Sequence, residues 1–150
     1  MRQQDLHVLF RAGIAPIPVI DMHAAARRFV TIGALLLALA TGLGAWAAHG
    51  LEALIGAAAL ATFRTGVEYH FYHSLGLLGV GLLIDRLGTR APLLVSGWLL
   101  VAGIVMFSGS LYALAFSSAR FLGPVTPLGG LCFIGAWACL ALALWPGRRS

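Results

Sequence analysis

Apolar residues in this chain are gathered into four long runs, and short stretches between them carry most of the charge. Each run is close to the roughly 20 residues that a helix needs to cross a bilayer. Because backbone groups in lipid must bond internally, helices are the expected structure. The pattern predicts an all-α membrane protein, an antiparallel four-helix transmembrane bundle with spans at residues 29–48, 66–84, 92–116 and 127–144.

The connection between the first two runs, residues 50–65, has a helical pattern of its own. Its apolar positions recur at i, i+3, i+4, i+7 and i+8, which is typical of an amphipathic helix. They are Leu51, Leu54, Ile55, Ala58 and Ala59. A helix of about 13 residues within this connection is too short to span the bilayer. We therefore predict a short outer helix that lies along the membrane surface or enters it as a re-entrant piece.

The composition favours a membrane protein over a soluble one. Of 150 residues, 60% are hydrophobic and only 10% are charged, whereas soluble domains carry about 25% charged residues. The net charge of +5 could indicate that the protein binds nucleic acid. The arginines, however, are spread over termini and loops without a basic stripe, which is typical of topology signals and not of nucleic-acid binding.

The first 21 residues fit poorly with the rest of the chain. They contain Pro16 and Pro18 and have no clean helical or strand period, whereas Met22 opens a compact basic stretch followed directly by the first apolar run. Residues 1–21 are therefore expected to be either a disordered tail or a mis-assigned start, with translation beginning at Met22. Residues 22–150 are predicted to form one four-span transmembrane domain.

The distribution of arginine predicts the orientation. Eight arginines fall in the N-terminal tail, the loop between spans two and three and the C-terminal tail, whereas only Arg64 and Arg120 fall in the other two connections. Positively charged loops remain in the cytoplasm. We predict a multi-pass protein of the bacterial inner membrane with both termini in the cytoplasm.

With that orientation, the polar residues of the spans converge in the outer half of the bundle. Polar side chains within a membrane are costly, so they indicate a function or a network that stabilises the bundle. The candidate polar site consists of His49, Glu68, Tyr69, His73, Ser108, Ser110, Tyr112 and Thr126. His70 lies three residues before His73 and so on nearly the same helix face, whereas Glu68 does not share the face of His73.

This cluster allows more than one interpretation. Three imidazoles and a carboxylate are suitable ligands for a divalent metal, and two imidazoles are suitable for haem. The alternative that we adopt is that the histidines bond to Ser108, Ser110, Tyr112 or backbone carbonyls and hold the helices together. A serine nucleophile lacks its usual strand-elbow context here. We predict no catalytic residue, no metal site and no cofactor.

Small residues and one Thr-Pro pair predict how the spans pack. Helices associate in lipid through small residues that permit close approach. The candidates are Ala34, Ala38 and Gly42 in span one, Gly79 and Gly81 in span two, Gly103, Gly109 and Ala113 in span three, and Gly135 and Cys139 in span four. Thr126 followed by Pro127 is the expected start of span four, with the threonine as N-cap and the proline at the first helical position.

Four short segments of the chain, in their order and spacing, resemble a family of small bacterial inner-membrane proteins of unknown function, the YgdD/YwdK type (UPF0382, or DUF423). The matching segments are 44–51, the Tyr69 and His73 pair, 107–112 and 123–130. The resemblance covers roughly residues 27–145. It departs at Trp46 and Ala47, where the family has Phe-Gly, and at His70. It implies the four-span architecture and brings no established activity.

The function expected from these features is a structural or accessory membrane component with a polar outer-leaflet site, and not an enzyme. Its expected surroundings are the lipid bilayer and a membrane-protein partner or further copies of itself, without nucleic acid. Two alternatives remain open at this point. One is a small-molecule, lipid or quinone binder or transporter, and the other is a haem- or metal-binding redox component.

Overall fold

The computed structural model describes residues 22–117 and 123–145, and within those ranges every regular element is helical. The helices are α1 (Ala24–His49), α2 (Leu51–Ile55), α3 (Ala57–Leu87), α4 (Ala91–Phe116) and α5 (Val125–Leu144). Helix α4 contains a π-helical turn at Ile104–Ser108. The segment predicted to be a tail or mis-assigned start, residues 1–21, lies outside the described residues.

Three of these helices are long and apolar enough to cross a membrane. They are α1, α4 and α5, with mean hydropathies of 1.9, 2.1 and 1.9. Helix α3 is longer still at 31 residues, yet it is not among them. Its N-terminal half carries Arg64, Glu68, His70 and His73, and these side chains lower the hydropathy of the helix. The predicted all-α class is confirmed for the described residues, with three helices that could span a membrane.

The predicted amphipathic helix between the first two spans is wrong in its extent. Helix α2 covers only Leu51–Ile55, and residues 57–65 form the first turns of α3. The break falls at Gly56, whose φ of +80° lies in the left-handed region that glycine adopts most easily. Gly66, where the second span was expected to begin, lies inside α3 and packs against Leu111 and Tyr112. Helix α3 therefore begins nine residues earlier than the predicted second span.

Helices α3 and α4 form the central pair of the bundle. They are antiparallel, because Gly66 near the start of α3 packs against the end of α4 at Tyr112. Helix α1 covers one side of this pair. Its residues Phe29 and Trp46 contact α4 at Trp98 and Phe116 respectively, so α1 and α4 run parallel.

Helix α5 covers the opposite side of the central pair. Phe133 of α5 stacks against His73 of α3 and contacts Phe107 of α4. Helix α5 is antiparallel to α4, because Gly129 in its first turns meets Phe107, and Leu99, nearer the start of α4, meets Gly135. Successive long helices are therefore antiparallel throughout the described chain.

The small residues pack as predicted at some positions and not at others. Gly81 and Gly103 face neighbouring helices closely, since a Cβ at Gly81 would lie 2.7 Å from the side chain of Val30. The stripe of Ala34, Ala38 and Gly42 does not pack inside the bundle, and all three residues are exposed. That prediction is wrong because α1 is rotated so that Phe29, Gly33, Ala40 and Ala47 are the buried positions.

The two ends of the bundle are held by different polar contacts. At the end that includes the start of α1, the amide of His23 donates to a carboxylate oxygen of Asp85, with 3.2 Å between nitrogen and oxygen. At the other end, a guanidinium nitrogen of Arg64 donates to the carbonyl of Ala47 at 3.3 Å. This second contact places a cation at the C-terminus of α1, where the helix dipole favours positive charge.

Candidate functional site

The candidate polar residues all lie at the same end of the bundle. His49 lies at the end of α1, Glu68, Tyr69 and His73 lie in the first half of α3, Ser108, Ser110 and Tyr112 lie in the second half of α4, and Thr126 lies in the first turn of α5. The antiparallel arrangement brings these four segments to one level. Within that level, the side chains separate into a buried set and an exposed set.

Ser110 connects α4 to α5. Its hydroxyl lies 2.7 Å from the hydroxyl of Thr126 and also donates to the carbonyl of Phe107 at 2.9 Å. Because the phenylalanine carbonyl can only accept, Thr126 is the donor to Ser110 when both bonds form. The serine therefore has two partners although it is only 4% exposed.

The predicted helix-start role of Thr126 is wrong. Helix α5 begins at Val125, with Pro124 as the N-cap residue. Thr126 is then the second helical residue and Pro127 the third, where a missing backbone N–H still costs nothing because the first turn has no acceptor for it. The threonine hydroxyl binds Ser110 across the helix interface instead of capping its own helix.

His70 connects α3 to α4 on the other side of α4. Its Nδ1 atom lies 3.1 Å from the hydroxyl of Tyr112. The imidazole is 2% exposed, so this contact lies inside the bundle. Tyr112 and Ser110 are two residues apart on α4 and so face different neighbours. Helix α4 is therefore joined to α3 through Tyr112 and to α5 through Ser110.

His73 is held mainly by stacking. Its ring lies over the ring of Phe133 of α5, with 3.4 Å between centroids and 13° between planes. Its Nδ1 atom lies 2.7 Å from the carbonyl of Tyr69 in the preceding turn of α3. Since a carbonyl only accepts, Nδ1 carries the proton. The imidazole contributes an aromatic face to the α3–α5 contact and donates its hydrogen bond to a carbonyl of its own helix.

Two buried polar atoms in the α3–α4 contact have no hydrogen-bond partner among the described residues. They are Nε2 of His70 and the hydroxyl of Ser108. Ser108 is the last residue of the π-helical turn and is 0% exposed. It lies one turn from Tyr112 on the same face of α4. This part of the interface is therefore less completely bonded than the Ser110–Thr126 contact.

The remaining three candidate residues lie outside the buried set. Tyr69 is 39% exposed, and its ring stacks on Phe107 of α4. His49 is exposed at the end of α1, and Glu68 is exposed on the side of α3 that faces away from His70 and His73. Glu68 instead lines an open groove between α1 and α3 together with Arg64 and Tyr72. Sequence reasoning missed that groove. Its signal was the i, i+4 spacing of Arg64, Glu68 and Tyr72, which the wrong helix boundary at Gly66 concealed.

The geometry also bears on the chemical alternatives. Among residues 22–117 and 123–145, no group of three or more His, Cys, Asp or Glu side chains is placed to hold a metal ion. The cluster of three imidazoles and a carboxylate considered from the sequence therefore does not form there. A nucleophilic serine needs a base within hydrogen-bond reach, but the partners of Ser110 are a threonine hydroxyl and a backbone carbonyl.

Comparison with known proteins gives a consistent result across bacteria. The model of a family described as "Protein of unknown function (DUF423)" matches residues 43–130, which include all eight candidate residues. The chain is 48% identical over 115 residues to the UPF0382 membrane protein YwdK of Bacillus subtilis, a match that covers 77% of this chain and 94% of that protein.

Two further relatives extend this similarity. The UPF0382 membrane protein SH2409 of Staphylococcus haemolyticus is 41% identical over 77% of this chain and 93% of its own length. A UPF0382 membrane protein of Haemophilus influenzae is 42% identical over 76% of this chain and 90% of its own length. No solved structure matches the chain. The resemblance predicted from the sequence motifs is thereby confirmed.

Proposed function

This chain belongs to the DUF423 family, whose curated relatives are named UPF0382 membrane proteins, and from that premise we propose a structural or accessory role in the bacterial inner membrane. The protein crosses the membrane four times, acts without catalysis and works beside a membrane-protein partner or further copies of itself. The buried polar residues of α3, α4 and α5 serve to hold the helices in register. The exposed surfaces are left for association.

The parallel packing of α1 and α4 supports the fourth span. Two helices that both cross the membrane in the same direction require the chain to return across it between them. Helix α3 connects α1 to α4 and is antiparallel to both. At 31 residues it extends about 46 Å, which exceeds the roughly 30 Å of hydrocarbon. His70, His73 and Ser74 are covered by protein, and the exposed Arg64 and Glu68 lie toward the start of the helix, which reconciles its low hydropathy with a membrane location.

The distribution of arginine supports the orientation. Both termini and the α3–α4 connection carry eight of the ten arginines, so these segments lie in the cytoplasm. The polar end of the bundle then faces the periplasm. In this orientation Arg64 lies at the outer surface, where it caps the last turn of α1.

The observation that carries the accessory role is that two pairs of polar side chains bond to each other between helices. Ser110 binds Thr126 across the α4–α5 contact, and His70 binds Tyr112 across the α3–α4 contact. Polar groups that serve catalysis would be directed at a cavity open to substrate. These instead bind one another between helices, which is the arrangement expected of a scaffold.

Reporter fusions test the topology. Alkaline phosphatase fused after Arg64 should be active, because it reaches the periplasm, whereas the same reporter fused after Arg86 should be inactive. A fluorescent reporter that folds only in the cytoplasm should give the reverse result. Phosphatase activity at Arg86 would refute the orientation, and equal activity at both sites would refute the passage of α3 through the membrane.

Gentle purification tests the role. The protein, extracted from its own membrane in a mild detergent, should migrate with a defined partner or as an oligomer of fixed stoichiometry. Its absorbance spectrum should contain no Soret band, and its metal content should be far below one ion per chain. A stable monomer that carries stoichiometric haem or metal would overturn the accessory role in favour of a redox component.

A further inference from the structure

An open groove of about 640 Å³ runs between α1 and α3 at the polar end of the bundle. We call it the α1–α3 groove. Its lining includes Gly44 and Ala48 of α1 and Arg64, Glu68, Phe71 and Tyr72 of α3. Its volume falls within the range of about 300–1,000 Å³ that is typical of ligand pockets.

The groove exists because the side chains that α1 directs toward it are all small. Nearer the other end of the same helix pair, α1 and α3 are in close contact, since a Cβ at Gly33 would lie 2.9 Å from the side chain of Leu78. At Gly44, in contrast, a Cβ would meet only the side chain of Val67, at 3.4 Å. The two helices thus leave uncovered space beside Gly44 and Ala48.

The wall that α3 contributes carries opposite charges. Arg64 lies level with the end of α1, and Glu68 and Tyr72 follow at intervals of one turn, about 6 Å each. One guanidinium nitrogen of Arg64 binds the carbonyl of Ala47, which leaves most of its five N–H donors available. Arg64 and Glu68 do not form an ion pair with each other, although their i, i+4 spacing would allow one.

The carboxylate of Glu68 has no partner in the groove, which is energetically costly within a membrane span. Glu68 is exposed, and no hydrogen bond from the described residues reaches its carboxylate. An ionisable residue within a span that lacks a partner is energetically unfavourable and is by default a sign of function, with a complementary group as its expected partner. The complementary group for this carboxylate is a cation that donates hydrogen bonds.

We infer that the α1–α3 groove binds an ethanolamine phospholipid from the surrounding bilayer. Its primary ammonium donates to Glu68, its phosphate accepts from the free N–H groups of Arg64, and one acyl chain lies along Thr41 and Phe71. A zwitterionic headgroup matches the two opposite charges of the wall, whereas an anionic glycerol headgroup would supply no cation. This inference rests on the proposed passage of α3 through the membrane.

Lipid retention in detergent tests the proposal. The purified protein would be delipidated, mixed with phosphatidylethanolamine, phosphatidylcholine or phosphatidylglycerol of identical acyl chains, and weighed by native mass spectrometry. Phosphatidylethanolamine should bind about tenfold more tightly than phosphatidylcholine, because the trimethylated headgroup cannot donate to Glu68. Tenfold corresponds to about 1.4 kcal/mol. Equal binding of the two lipids would overturn the proposal.

Matched variants locate the site. Glu68→Gln should abolish the preference for ethanolamine, whereas Glu52→Gln, which alters an exposed glutamate on α2 outside the groove, should retain it. Gly44→Leu should fill the groove and reduce the binding of all lipids. Gly42→Leu, two residues away on an open part of α1, should bind as the wild type does.

The outcomes separate this inference from the proposed function. Equal loss in Gly44→Leu and Gly42→Leu, or no change in Glu68→Gln, would refute the groove as the binding site. Competition by soluble phosphoethanolamine at the same concentration as the lipid would refute a membrane lipid as the occupant. If Gly44→Leu does not fold, Glu68→Gln with its Glu52→Gln control still decides the result. Binding in detergent does not depend on orientation, which the reporter fusions test separately.

Discussion

The α4–α5 contact and the α1–α3 groove lie at the same end of the bundle and are both built around glycine, yet one is closed and the other open. Gly129 of α5 lies directly against the backbone of Phe107, so a Cβ there would be 2.8 Å from the Phe107 Cα atom. Gly44 of α1 faces only Val67 at an ordinary contact distance. A small residue therefore permits close approach without enforcing it.

The difference lies in what the opposite helix presents. Helix α4 presents the hydroxyl of Ser110, which binds Thr126 one turn from Gly129 and holds the two backbones together. Helix α3 presents Arg64, Glu68 and Tyr72. The polar ends of these long side chains favour contact with water or other polar groups over contact with the alanines of α1. A bond between two hydroxyls thus accompanies the close contact of one pair of helices, whereas the small residues of α1 leave the other pair open beside Arg64, Glu68 and Tyr72.

The largest expected effect is that of Gly129→Ala. The added methyl group would meet the backbone of Phe107, which cannot rotate away, so the α4–α5 contact must open. Overpacking of this kind costs about 1–3 kcal/mol. Gly130→Ala is the matched control, because its Cβ would lie 3.8 Å from the nearest atom of Phe107. The free energy of unfolding in mixed detergent and SDS, followed by tryptophan fluorescence, measures both variants.

Equal stability of the two alanine variants would contradict the close approach of α5 to α4. A loss in Gly130→Ala as large as that in Gly129→Ala would show that the effect comes from helix propensity or from lipid packing. Either result would remove the contrast between the closed contact and the groove.

The second largest effect is expected when the Ser110–Thr126 bond is removed. Ser110→Ala deletes a buried hydroxyl that has two partners, and the loss is expected to be about 1–2 kcal/mol. Ser110→Ala combined with Thr126→Ala gives a double-mutant cycle. Its coupling energy should be about 0.6 kcal/mol, the average found for bonds between helices in a membrane, and no more than about 1.7 kcal/mol. A coupling energy near zero would indicate that the two hydroxyls do not hold the interface.

A smaller effect is expected at the other side of α4. Tyr112→Phe removes the hydroxyl that binds His70 and keeps the ring that packs against Gly66, so the loss should be about 0.5–1 kcal/mol. The control is Tyr72→Phe, because Tyr72 is exposed in the groove and should change stability by less than about 0.5 kcal/mol. If Tyr72→Phe were the more destabilising variant, the Tyr72 hydroxyl would have a partner, which would mean that the groove is closed in the membrane.

The sequence pattern predicted the helical class and the level of the polar residues because both follow from local rules. Apolar runs of about 20 residues require helices in lipid, and antiparallel helices bring the ends of successive spans to the same side. The family motifs added specificity, since Phe107, Ser110 and Thr126 are among the residues that the structure joins.

Rotation about the helix axes and the position of one helix break could not be predicted in the same way. Both Gly56 and Gly66 are plausible breaks, and only the packing of Gly66 against Tyr112 decides between them. The stripe of Ala34, Ala38 and Gly42 is as suitable for packing as the buried positions of α1. Which stripe is covered depends on the fit of Phe29 into the space at Gly97, a contact between residues that are distant in sequence.

The smallest expected effect, and the most direct check on the groove, is that of Gly44→Ala. Its Cβ would contact Val67 at 3.4 Å and nothing else, so the unfolding free energy should change by less than about 0.5 kcal/mol. Gly42→Ala, where a Cβ meets nothing within 4 Å, is the control for helix propensity and should give the same value. A loss at Gly44 comparable to that of Gly129→Ala would mean that α1 packs onto α3 in the bilayer. The α1–α3 groove would then be closed like the α4–α5 contact, and the carboxylate of Glu68 would need a partner within the α1–α3 pair.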